Sequence, residues 1–148
     1  VHEKLPQATF AVVGTGDLAE ATQALAAEYG LDGCVHFLGY RQNPLKLLRD
    51  SKVMVMTSRW EGTPMCALEA QALGVPIVST PTDGLRDLIE TGKNGVLGDT
   101  DEALADGVCA LLCDADKRAK MSDAARAFAV RYNDMDAYRA ALLAVYKA

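Results

Sequence analysis

The chain has 148 residues, half of them apolar and about a quarter charged, and its 15 basic and 20 acidic side chains leave a net charge of −5. That length suits one domain over residues 1–148, able to bury roughly 70% of its unfolded surface. The acidic balance disfavours nucleic acid, no apolar run approaches the roughly 20 residues of a membrane span, and no signal peptide opens the chain, so a cytoplasmic globular domain is expected.

In chain order, short apolar runs alternate with amphipathic stretches. Thr9 to Val13 reads T-F-A-V-V and stops at Gly14, as a buried strand would. Asp17 is placed to cap a helix running to Tyr29-Gly30, with Leu18, Ala21, Leu25 and Ala26 on one face. Val35 to Leu38 is a second strand, stopped by Gly39, and Pro44 opens a short helix reaching Asp50. Val53 to Thr57 is a third strand, and Pro64 opens a helix that stops near Gly74. Val75 to Ser79 is a fourth strand with proline only at its entry, Leu85 to Glu90 a turn of helix, and Gly95 to Leu97 a weaker last strand. From Asp101 onward the pattern is helical, over Glu102 to Leu112, Ala115 to Val130 and Met135 to Tyr146. The fold class is therefore α/β, a doubly wound parallel sheet with a helical C-terminus.

Cys34, Cys66, Cys109 and Cys113 contain no C-x-x-C pair, and no ligand spacing surrounds His2 or His36. The cysteines read as small apolar packing residues in a reducing compartment, with no metal expected.

In open α/β sheets ligands sit outside the carboxyl ends of the strands. That rule selects Gly14-Thr15-Gly16, Gly39-Tyr40-Arg41, Ser58 to Met65 and Thr80 to Gly84. The most informative stretch is Ser58-Arg59-Trp60-Glu61-Gly62-Thr63-Pro64-Met65-Cys66-Ala67-Leu68-Glu69. Gly62 permits a close turn and Pro64 presets the helix start. The free amides of Met65 and Cys66 then face outward at the positive end of the helix dipole, where phosphate binds without a lysine. Glu61 and Glu69 can each accept hydroxyl protons from a sugar. Taken singly, either is as readily an ordinary helix-start or surface carboxylate. Together, with small apolar residues after Glu69, they suggest a charge that wants a partner.

These residues carry a resemblance. Glu61-x7-Glu69, continued by Ala70-Gln71-Ala72-Leu73-Gly74-Val75-Pro76-Ile77-Val78, resembles the E-G-x-P-x-x-x-x-E-A-x-A-x-G-x-P-V-V signature of retaining glycosyltransferases of the GT-B fold, family 4-like. Phe10 to Gly16, Val35 to Arg41, Thr82 to Ile89 and Asn94 to Leu97 resemble that family's other segments in the same order, so the likeness covers nearly the whole chain. It implies the Rossmann-like, donor-binding C-terminal half of a two-domain enzyme of polysaccharide biosynthesis. Glu61 would meet the donor hexose, as the residue nearest the chemistry, and Glu69 the ribose hydroxyls. Amides around Thr63, Pro64, Met65 and Cys66 would hold the distal phosphate, with Ser58 and Gly62 shaping that turn. Gly14 and Gly16 would admit the donor to the first loop, and backbone at Tyr40 and Arg41 would line the base pocket. The resemblance implies a nucleotide-diphosphate sugar as substrate and no metal or other cofactor.

Two departures bear on activity. The family's second half normally begins with another strand, then an Arg and a Lys that grip the diphosphate. Val1 to Pro6 resembles the end of the helix after them. That strand, both cations and the N-terminal acceptor-binding domain, the expected partner, are thus expected to lie outside this chain. Any peripheral membrane contact would come through that domain. Asp83 and Asp87 also stand where the family more often has Gly and Glu. Weak nucleotide binding and no transfer by this chain alone are expected. A non-catalytic nucleotide-sugar module or an epimerase half is the alternative. A phospho-receiver is excluded by Met56-Thr57-Ser58 at the end of the third strand, and a P-loop by the lack of G-K-[ST] after Gly14-Thr15-Gly16. With the first family strand gone, Thr9 to Val13 is expected to pair directly with Val53 to Thr57, giving the order 2-1-3-4-5.

Overall fold

The computed structural model describes residues 1–147. Strands and helices alternate as β1 (Phe10–Val13), α1 (Ala19–Glu28), β2 (Val35–Gly39), α2 (Leu45–Asp50), β3 (Met54–Met56), α3 (Met65–Leu73), β4 (Ile77–Ser79), α4 (Asp83–Arg86) and β5 (Gly95–Leu97). Three helices follow, α5 (Asp101–Cys113), α6 (Ala115–Tyr132) and α7 (Met135–Lys147). The α/β class and the parallel strands expected from the sequence are present. The chain divides into two units, Val1–Leu47 and the rest from Leu48, with the boundary inside α2.

In the first unit β1 and β2 form a parallel pair running from Phe10↔Val35 to Val13↔Gly39, with a register shift that leaves Leu38 unmatched. Packing here is thin. Ala26 is the buried residue of α1, whereas Leu18 and Leu25 are exposed, so the apolar face expected over Leu18, Ala21, Leu25 and Ala26 is not a buried face. Asp17 does not cap α1 either; Leu18 is the capping residue and makes no side-chain hydrogen bond to the helix. The Ala19 N–H bonds to the Gly16 carbonyl, a tight turn that takes up the role a capping carboxylate would have had.

The second unit is a three-stranded parallel sheet of order β3-β4-β5, with Met54↔Ile77 and Ile77↔Gly95 in register. Alternation along the strands sends Met56 and Ile77 to one face, where they meet Ala67 and Ala70 of α3 and Leu85, Leu88 and Ile89 around α4. Ala67 and Ala70 are fully buried; their small side chains let α3 lie close to the sheet. Fully burying Ile77, Leu85 and Leu88 stabilises the unit by about 1.5–3 kcal/mol each. Val78 points the other way, toward α5, whose Leu104, Val108 and Leu111 are buried. Asp114 caps α6 by accepting from the Lys117 N–H at 2.8 Å, and α6 packs back on α3. There Arg126 donates to the Leu73 carbonyl at 3.0 Å, placing a cation at the negative end of α3. No residue of α7 is buried.

The ladders of the described residues are β1-β2 in the first unit and β3-β4-β5 in the second, so the expected order 2-1-3-4-5 is not among them. The expectation assumed that an open apolar edge must close. Apolar content does not by itself choose a strand's neighbour; here each strand's partner is the one that follows it within its own unit. α4 begins at Asp83 and ends at Arg86, not Leu85 to Glu90, because Gly84 and Leu85 are drawn into the core before the chain turns at Asp87. The packing role expected of the cysteines holds for buried Cys34 and half-buried Cys109, whereas Cys66 and Cys113 are exposed.

Among the described residues no helix is long and apolar enough to cross a membrane.

Candidate functional site

In the first unit, the Gly14 N–H donates to the Gly39 carbonyl at 2.9 Å, directly after the last paired residues of β1 and β2. Gly14 takes φ 130° and Gly39 φ 65°, both strained for any side chain, so the two loops depend on glycine at this crossing. The bond sets Gly14-Thr15-Gly16 beside Tyr40-Arg41 at the carboxyl end of the pair, as expected from the sequence. Tyr40 is exposed. Gly16 lacks a positive φ, and a Cβ there would meet open space, so nothing internal to the fold demands glycine at that position.

In the second unit, the loop between β3 and α3 is tied down at successive points. The Thr80 hydroxyl donates to the Ser58 carbonyl at 2.6 Å. The Ser58 hydroxyl donates to the Glu61 carboxylate at 2.7 Å. The Gly84 N–H donates to the Glu61 carbonyl at 3.2 Å. Glu61 is thus held by its side chain and its backbone, and Gly84 is needed for the approach: a Cβ there would lie 1.3 Å from the Gly62 carbonyl oxygen.

α3 opens after Pro64, which is buried and extended. The Ala67 and Leu68 amides bond back to the Pro64 carbonyl. Among the described residues the Met65 and Cys66 amides have no backbone acceptor, the pattern a helix start offers to an anion. The Cys66 side chain reports the local field. Burial raises its pKa, Glu61 raises it further, the N–H groups of Cys66 and Ala67 pull it down, and Glu69 adds a smaller push upward. Of the two carboxylates, Glu61 has the larger influence on this thiol. Glu61 and Glu69 are each half-buried, and Glu69 makes no ion pair among the described residues.

A cleft of about 510 Å³ opens at this end of the unit, lined by Arg59, Trp60, Glu61, Gly62, Pro81, Thr82 and Asp83. The structure thus brings Ser58, Glu61, Gly62 and the α3 start together, with Glu61 in the cleft wall; Glu69 is not part of that wall. Thr80, Gly84, Trp60 and Thr82 complete the surroundings; the sequence placed all four in the selected segments but gave none of them a role. Their signal was positional, since Trp60, Thr80 and Thr82 lie in the loops after β3 and β4 and Gly84 in the first turn of α4.

A family model described as glycosyl transferases group 1 matches residues 1–128. The chain belongs to this family. It is similar to the D-inositol 3-phosphate glycosyltransferase of Corynebacterium jeikeium, 33% identical over 142 residues that cover 88% of this chain and 34% of that protein. It resembles Anabaena HepE, solved with UDP-glucose, with a TM-score of 0.76 and 28% identity over 85% of this chain and 37% of that one. Staphylococcus aureus TarM, solved with UDP, shares the fold at a TM-score of 0.87 and 22% identity, over 99% of this chain and 30% of its own. The chain spans about a fifth to a third of the length of the curated relatives it matches.

Proposed function

We propose that this chain is the single donor-binding domain of a cytoplasmic retaining glycosyltransferase, one that moves a hexose from a nucleotide-diphosphate sugar to a glycan, lipid or other acceptor. The observation that carries the reading is the α3 start. Amides of Met65 and Cys66 that have no backbone acceptor among the described residues open beside Glu61, whose carboxylate accepts from the Ser58 hydroxyl and whose backbone carbonyl accepts from the Gly84 N–H. HepE with its UDP-glucose supports it.

In this reading the Met65 and Cys66 amides receive the distal phosphate, with the turn at Thr63-Pro64 setting their direction. The α3 dipole stabilises charge that builds on the leaving diphosphate as the glycosidic bond breaks. Glu61, fixed by Ser58, accepts from hexose hydroxyls, and Glu69 from ribose hydroxyls. Within the first unit, Gly14, Gly16, Tyr40 and Arg41 are the residues this reading assigns to the nucleotide base. The acceptor is held by a further domain, and positioning it against the donor carbon is a large part of the rate. This chain alone therefore binds donor and does not transfer.

The test is thermal unfolding with millimolar UDP, GDP and ADP and their hexose conjugates. A ligand at 100 times its dissociation constant adds about 2.7 kcal/mol, and for a chain near 150 residues each kcal/mol moves Tm by roughly 2–4 °C. One base series should stabilise wild type and lose most of that shift in Glu69→Gln. No shift with any nucleotide refutes the reading.

A further inference from the structure

Trp60 is the chain's single tryptophan and stands 84% exposed on the rim of the cleft beside Glu61. Its large apolar face gains by being covered. Its surroundings in the cleft are hydrogen-bonding: the Arg59 guanidinium, the fixed Glu61 carboxylate, Asp83, and Thr82. The Thr82 hydroxyl is buried and has no hydrogen-bond partner among the described residues. We propose that Trp60 is a stacking platform for a pyranose ring.

The chemistry fits a sugar better than a protein surface. A pyranose offers a face of C–H groups, which the electron-rich indole face attracts, and a rim of hydroxyls for the polar groups around it. A protein partner would place few charges at the centre of its contact, whereas here Arg59, Glu61 and Asp83 line the same cleft as Trp60. The volume, about 510 Å³, lies in the range of small-ligand pockets and holds a hexose. The inference rests on the donor-binding reading and deepens it. The stacked ring is either the donor's hexose or a sugar of the acceptor, and the arms of the test separate them.

Since tryptophan occurs once, fluorescence excited at the long-wavelength edge of indole absorption, where the five tyrosines do not absorb, reports Trp60 alone. Wild type, Trp60→Ala and Trp60→Phe are titrated with UDP, GDP and ADP, with their glucose conjugates, and with a glucose oligosaccharide in the presence of the nucleotide. If the donor hexose stacks, the conjugate shifts wild-type emission where the bare nucleotide does not. Trp60→Ala then costs about tenfold in affinity for the conjugate alone, and Trp60→Phe restores most of it. If an acceptor sugar stacks, the oligosaccharide gives those results instead. Unchanged emission in every arm overturns the proposal, as does an equal effect of Trp60→Ala on nucleotide and conjugate. Emission that follows protein concentration instead of sugar assigns Trp60 to a protein contact and also overturns it. Nucleotide binding that depends on Glu69 but leaves Trp60 silent refutes stacking while leaving the donor-binding reading intact.

Discussion

Gly84→Ala isolates the contact that holds Glu61. The added Cβ would lie 1.3 Å from the Gly62 carbonyl oxygen and 3.0 Å from that of Glu61. Carbon–oxygen contacts settle at about 3.3 Å, so the two loops must part by about 2 Å. Overpacking of this kind costs about 1–3 kcal/mol. The Gly84 N–H bond to Glu61, at 3.2 Å, is lost in the movement and adds about 1 kcal/mol. At roughly 2–4 °C per kcal/mol, Tm should fall by roughly 4–16 °C. Gly33→Ala is the control, since its Cβ meets open space and its φ is not positive; its Tm should stay within about 1 °C of wild type. Calorimetric titration then reads the site, where Gly84→Ala should lose the extra affinity that a sugar conjugate has over the bare nucleotide. A Gly84→Ala protein matching Gly33→Ala in Tm, with that extra affinity intact, would show that the loop contact does not hold Glu61.

Ser58→Ala removes the hydroxyl that fixes the Glu61 carboxylate at 2.7 Å and should lower conjugate affinity about five- to thirtyfold with little change in Tm; equal affinity would refute the positioning role. Asn94→Ala breaks bonds to the Leu88 carbonyl, the Gln71 side chain and the Glu90 N–H, and should cost about 2–4 kcal/mol in denaturant unfolding; a loss below 0.5 kcal/mol would contradict this account of the buried amide pair. Alkylation of Cys66, followed by mass spectrometry, should rise with pH to a midpoint above the ordinary thiol range. Burial and Glu61 favour the protonated thiol, so removing the negative neighbour in Glu61→Gln should move the midpoint down. A midpoint that rises or stays fixed in that variant would place the two side chains apart.

Element types were legible because β-branched runs stopped by glycine, and helices opened by proline, state their own limits. Pro64 and Gly74 bound α3 at the expected places. Where a boundary depends on tertiary contact the reading slipped. Asp17 has the right chemistry for a cap, yet the Gly16–Ala19 turn displaces it by one residue. Leu18 and Leu25 have helical spacing, but spacing does not say whether anything covers them. Strand order was misread because apolar content marks a buried strand without naming its neighbour; β1 pairs with β2 and β3 with β4. In the site, Glu61 and the α3 amides follow from local chemistry. Thr80 and Gly84 act across 22 and 23 residues of chain, and only the loop crossing reveals their hold on Ser58 and Glu61.

The central claim, that a nucleotide diphosphate sits on the α3 N-terminus, is tested most directly by amide ¹⁵N chemical shifts. The panel of nucleotides and their hexose conjugates is added at millimolar concentration to wild type and to Glu69→Gln. The account predicts that one base series moves the Met65 and Cys66 amides in a saturable way, and that Glu69→Gln weakens that saturation about tenfold or more. Saturable binding that leaves both amides unmoved, or no saturable shift from any nucleotide, would contradict it.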